Sequence, residues 1–280
     1  MPQSNNPLQQ FFRRPAIYVQ LPSEGQFWPP GSLDLPPNKE LPVFPMTAID
    51  EITYRTPDGL FNGAATVSVL QSCVPNIKNA WHTPLLDLNT LLIGMRIATS
   101  GHNLDIDSNC PECKEENSFQ LDLRQVMQQQ TTPNYSESLQ HNDLEIYFRP
   151  ISYQNQNKIS IEQFNQQRVL NSLADSTEDE EVKTQQLNQA LKSITEVTIE
   201  AMKYSINGIK TPSAFVSEPE FIEEFLKNCD RSLFNQIRDH VVKLREQSDL
   251  KPLKMTCQHC QHSYEQDLTM DSSSFFGQAS

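Results

Sequence analysis

Glycine is scarce in this chain, with eight residues in 280. Phosphate cradles are built from clustered glycines whose backbone N–H groups close on the anion, and neither GxGxxG nor a P-loop occurs. The GxSxG elbow and the HExxH helix are absent as well. The six histidines are dispersed, and no Ser or Cys is spaced to pair with His82 or His102. Basic residues are also short: 22 Lys and Arg stand against 35 Asp and Glu, for a net charge of −13. Phosphate binding draws its affinity from Lys and Arg, so that balance argues against a nucleic-acid binder; Arg13-Arg14 is the only adjacent basic pair. No stretch approaches the roughly 20 apolar residues of a membrane span, and the first residues carry no apolar signal core. The expectation is a soluble protein made in the cytoplasm, with no catalytic residues, no small-molecule substrate, no nucleic acid and no membrane span.

What the chain has in quantity is proline, 19 residues, together with Asn, Gln and Ser. Extended polar arms and long connections follow from that composition. Residues 1–15 read as a flexible N-terminal arm carrying Phe11-Phe12. Alternating Ile17, Val19 and Leu21 predict a strand, with Leu41 to Phe44 as its partner. Thr47 with Asp50 opens a short helix, Asn62 caps the next as far as Val74, and Asp87 begins a third through Leu91 and Met95. Leu144, Ile146 and Phe148 share one face of a strand. The rest reads as helical, with starts at Ser160/Gln163, at the acidic run 178–181, at Ser217/Glu220 and at Asp230. Leu173, Leu187 and Leu191 fall on the apolar faces of that block, and Cys73 and Cys229 read as small buried residues.

Two segments carry chemistry. "SNCPECKEENSFQLDL" (108–123) sets Cys110 and Cys113 on one tight turn, and "MTCQHCQHSYEQDL" (255–268) does the same with Cys257 and Cys260. Each reads as strand, knuckle, strand, with Phe119 matching Tyr264 and Asp122-Leu123 matching Asp267-Leu268. Two CxxC turns in a reducing compartment favour metal over disulfide, and four thiolates saturate a structural zinc ion with no open position for water. Residues 114–256 lie between the two turns. Closing so long a flexible loop costs about 4 kcal/mol, against roughly 10–16 kcal/mol from structural zinc in peptides, so an intramolecular site is affordable. Two intermolecular half-sites, a surface disulfide, or replacement of a thiolate by His259 or His262 stay open on the sequence.

The fold class expected is α+β: an N-terminal strand/helix region, a helical insert, and a zinc-ribbon-like four-Cys knot joining the knuckles. The divisions are 1–15, arm; 16–127, N-terminal region with the first knuckle; 128–142, linker; 143–252, mainly helical domain; 253–271, second knuckle; 272–280, C-terminal tail.

Within residues 16–127 the run Pro45-Met-Thr-Ala, the acidic start Asp50-Glu51, Arg55-Thr-Pro-Asp, Ser72-Cys-Val-Pro-Asn-Ile and Cys110-Pro-Glu-Cys113 occur in order. This pattern resembles the baseplate proteins of contractile-tailed bacteriophages related to the coliphage hub subunit. The resemblance implies a structural subunit of a hub or inner wedge beside the tail tube, present in the virion and assembled in the host cytoplasm. Its implied partners are other baseplate and tail-tube proteins, in multiple copies, and it brings no catalytic residues. An assembly chaperone absent from the virion and a zinc-ribbon nucleic-acid adaptor are the alternatives.

Overall fold

The computed structural model describes residues 6–56, 62–174 and 180–268. Its first element is a 3₁₀ turn at Pro7–Phe11, after which Arg13 is anchored deeply. The Arg13 guanidinium donates to the Pro45 carbonyl at 2.6 Å, to the Ser72 carbonyl and hydroxyl at 2.8 Å each, and to Asp50 at 3.1 Å. Strand β1 (Ile17–Gln20) pairs antiparallel with β2 (Glu40–Val43), as the alternation predicts, in the register Ile17↔Val43.

Helix α1 (Ala48–Tyr54) opens on a complete capping box between Thr47 and Asp50. Helix α2 (Ala64–Cys73) differs from expectation at its start. Gly63, at φ 75°, is the N-cap, and Asn62 stands one residue outside and accepts from the Ala64 N–H. Only glycine adopts that backbone cheaply, and a Cβ there would lie 2.8 Å from the Asn157 side chain. Helix α3 (Leu85–Ser100) begins two residues before Asp87. Asp87 is instead fully buried in the first turn, where it accepts from Ser23 N–H (2.9 Å), Ser23 Oγ (2.5 Å) and Trp28 Nε1 (2.8 Å). That carboxylate ties the proline-punctuated loop between β1 and β2 to the helix. Gly94 lets the hairpin lie directly on α3, since a Cβ would meet Val19 Cγ1 at 3.0 Å. Leu41, Leu70, Ile77, Leu91 and Met95 fill this first core.

Then come β3 (Asn103–Asn109), β4 (Glu116–Asp122) and α4 (Leu123–Gln128), followed by β5 (Leu139–His141) and β6 (Leu144–Phe148). Two long helices, α5 (Tyr153–Ala174) and α6 (Glu180–Ser205), precede β7 (Ile206–Lys210) and β8 (Phe215–Val216). Helices α7 (Pro219–Asn228) and α8 (Arg231–Ser248) lead into β9 (Leu253–Thr256) and β10 (Ser263–Gln266). Strands β5 to β8 form an antiparallel sheet in sequence order. Its inward residues Ile146, Phe148, Ile206 and Ile209 meet Ile222, Leu226, Leu233 and Ile237 of the flanking helices in a second core.

Several local expectations shift. Helix α5 starts at Tyr153, so Ser160 is interior; Ser152 Oγ accepts from the Asn155 N–H at the true entrance. Glu218, not Ser217, caps α7, with Pro219 at its first position. Strands β7 and β8 interrupt the stretch read as helical. Residues 1–5, Glu178 and Asp179 of the acidic run, and the tail 272–280 lie outside the described residues, as do the side chains of Leu173, Leu187 and Leu191. Cys73 is fully buried, and burial pushes its thiol up to about 12; Cys229 is half-buried. No helix among the described residues is long and apolar enough to cross a membrane.

A third, smaller cluster places the site. Ile93 of α3, Leu104 of β3 and Leu123 and Val126 of α4 are buried together, and Leu250 and Leu268 pack on them. The C-terminal segment thus returns to the first knuckle's hairpin.

Candidate metal centre

Each knuckle is the turn of an antiparallel hairpin, β3–β4 for Cys110 and Cys113 and β9–β10 for Cys257 and Cys260. The two turns repeat each other bond for bond. The Cys110 N–H donates to Glu115 O (3.0 Å) and the Lys114 N–H to Cys110 O (3.0 Å). In the second turn the Cys257 N–H donates to His262 O (2.9 Å) and the Gln261 N–H to Cys257 O (3.0 Å). Lys114 and Gln261, each directly after the second cysteine, take left-handed backbone at φ 63° and 61°. Both turns accept the local cost of a non-glycine in that region and thereby aim two sulfurs the same way. Superposing the turns matches Asn117 with Tyr264. The pairing of Phe119 with Tyr264 read from the letters is therefore two residues out of register.

The hairpins face each other. Cys110 Sγ lies 3.7 Å from Cys260 Sγ, Cys113 Sγ lies 3.6 Å from Cys257 Sγ, and all four sulfurs lie within 4.8 Å of one another. A zinc–thiolate bond is about 2.3 Å, so thiolates at the corners of a tetrahedron around zinc stand about 3.8 Å apart. The observed spacing fits that donor set and is far from the roughly 2.05 Å of a disulfide; all six cysteines are free. The four sulfurs come from one chain. Neither His259 nor His262 belongs to the cluster, which among the described residues consists of the four thiols alone. The His262 ring stacks against Tyr264 instead.

Thiolates in such a site are stabilised by N–H donors, and Cys257 has three: the backbone N–H groups of His259 (3.4 Å) and Cys260 (3.5 Å) and the Asn117 side chain (3.5 Å). The Cys260 N–H is the strongest influence holding the Cys257 thiol down at about 6, against desolvation. Cys110 and Cys257 are fully buried, while Cys260 is exposed.

Polar contacts also cross the interface between the hairpins. Asn117 Oδ1 accepts from the Gln258 N–H (2.8 Å) while its Nδ2 donates to Cys257 Sγ and to Glu115 O (2.9 Å). Ser108 Oγ donates to Gln266 Oε1 (2.9 Å) and accepts from the Tyr264 hydroxyl (3.1 Å). The four cysteines are legible in the sequence, whereas Asn117 and Ser108 carry no sequence signal, since superposing the turns matches Asn117 only with the dissimilar Tyr264.

Fold and site together define a mixed α+β protein in which two hairpins, remote in sequence, close on a cluster of four thiols. A family model described as the T4 bacteriophage base plate protein matches residues 52–277. The chain belongs to that family, the baseplate proteins of contractile-tailed phages, and its role is that of a structural protein of the baseplate. The match takes in both knuckles and everything between them, and it begins inside the N-terminal stretch that carries the sequence resemblance. No curated protein and no solved structure matches the chain.

Proposed function

We propose that this chain is a permanent component of the hub or inner wedge, assembled in the host cytoplasm and retained in the virion. In this reading Cys110, Cys113, Cys257 and Cys260 hold one structural zinc ion, whose contribution when bound is cross-linking. The site carries no reaction, because four thiolates leave no open position for water or substrate. The divisions 1–15, 16–127, 128–142, 143–252, 253–271 and 272–280 then serve as arm, N-terminal region, linker, helical insert, returning knuckle and tail. The family match over residues 52–277, spanning both knuckles, is the observation that carries the proposal.

The surface supports an assembly role. Leu8 (61% exposed), Phe11 (76%) and Phe12 (57%) precede Arg13, which is bonded to Asp50 of α1; that helix turns Ile49 (76%) and Ile52 (69%) outward. Exposed apolar groups gathered this way mark protein contacts, here with other baseplate and tail-tube subunits. Nucleic acid is no partner in this reading, given the net charge of −13.

The test pairs a protein inventory of purified particles with metal analysis of the isolated chain. The expected result is the chain present in mature particles and one zinc per chain. Presence only in assembly intermediates would replace this reading with that of an assembly chaperone, and a metal-free, fully stable chain would remove the zinc.

A further inference from the structure

A cavity of about 180 Å³ lies between the two main cores. Its walls come from the start of α3 (Leu85, Leu88), the turn after β6 (Arg149 to Ile151), the end of α6, and Val241 and Leu244 of α8, with Tyr135 at one side. Apolar side chains line one part of the cavity, and polar ones, among them Asn89, Gln156 and Arg149, line the rest.

The position of Arg149 is unusual for a cation. Its backbone N–H donates to Ser205 O at 2.8 Å, and its Nε donates to Tyr204 O at 3.3 Å. Among the described residues its two terminal nitrogens have no hydrogen-bond acceptor and no carboxylate within ion-pair distance. Burial depresses its pKa. Arg245 and Asp249 also line the cavity and offset one another by proximity, so Arg149 sets the sign of the interior. Those two nitrogens are open to solvent and free to make two parallel N–H···O bonds, the geometry in which arginine meets a carboxylate.

We propose that this cavity is a receptor for the C-terminal carboxylate of a partner polypeptide ending in an apolar residue. Size and lining choose that occupant. The volume is below the roughly 300–1,000 Å³ of pockets for drug-sized ligands and suits a group of amino-acid size. Leu85, Leu88, Ile151 and Val241 call for an apolar body immediately beside the charge, which an apolar terminal residue supplies and a lone Asp or Glu side chain does not. Capture of a terminal carboxylate is an established mode of peptide recognition. The proposal is independent of the baseplate reading and of the metal.

The experiment titrates the full chain with N-acetyl-leucine, N-acetyl-leucinamide and inorganic phosphate, following backbone NMR shifts of residues around the cavity. The acid is expected to move Leu85, Arg149 and Val241, and the neutral amide to bind about tenfold or more weakly, the value of hydrogen bonds to a charged group. Arg149→Gln should lose the same factor with the fold retained; if it does not fold, the acid-against-amide comparison on the native chain decides alone. Equal binding of acid and amide, no shifts around the cavity up to the probe's solubility limit, or displacement of the acid by phosphate would each overturn the proposal.

Discussion

Asn117 does the work of a ligand's support without being a ligand. Its amide joins the loop of one hairpin to a sulfur and a backbone N–H of the other, and it is almost fully buried. Groups that orient metal ligands typically carry ten- to hundredfold in affinity. Asn117→Ala should therefore weaken zinc retention by about that factor in competition with a chelator, and unchanged retention would reduce the residue to packing. Asp87 is a second buried polar group with a measurable consequence. Burial first, against the pull of Ser23 and Trp28, pushes its carboxyl from 3.8 up to about 6. Between those values the folded chain binds the proton more tightly than the unfolded chain, so this group lowers stability as pH rises from about 4 to about 6. Asp87→Asn should remove that slope, bringing denaturant midpoints on either side of the window closer together than in the native chain. An identical slope in both proteins would assign the effect to other groups.

At the scale of elements, the two hairpins depend on each other more than on their own strands. Strands β9 and β10 have four residues each, and a two-stranded hairpin alone is marginal in water. Replacing Cys257 and Cys260 by Ser should release the metal and abolish hydrogen-exchange protection in β9 and β10. The sheet β5 to β8 and its helices should keep theirs, because Ile146, Phe148, Ile206 and Ile209 lie in a separate core. Retained protection in β9–β10 would show that Asn117 and Ser108 suffice without the ion. The elements that the sequence revealed are those whose signal is local. The CxxC turns, the Thr47/Asp50 capping box, the Asp230 cap of α8 and the β1–β2 alternation each need only neighbouring residues. Those that it concealed are set by distant contacts. The polar run from Tyr153 to Lys158 has little helical apolar pattern, yet Tyr153 stacks on Trp81 and its N–H donates to Thr83 O, which fixes the start of α5. Strand β7 follows Ser205 without a break and is held by β6, with Ile146 opposite Ile209. The meeting of the hairpins was visible as matched thiols, but their cross-contacts were not, because Asn117 and Tyr264 share no chemistry that letters display.

In the whole molecule, two cores are joined along several lines: the Leu85 N–H to Ile151 O, the Tyr153 N–H to Thr83 O, and Thr131 Oγ to Gln247 O. The thiol cluster adds a connection of a different kind, since it joins the chain to itself across residues 114–256. Tension applied between the N-terminal region and the C-terminal segment takes the shortest covalent route, and with zinc bound that route runs through metal–sulfur bonds and bypasses the enclosed residues. In single-molecule pulling, the loaded chain should withhold a step of ~500 Å, the extended length of those residues, until the cluster ruptures. After chelation the same length should be released at lower force, and release without that difference would mean the cluster carries no load. The four cysteines are then a mechanical shunt: a contractile machine that strains this subunit from its ends would stretch a knot and leave the helices it encloses slack.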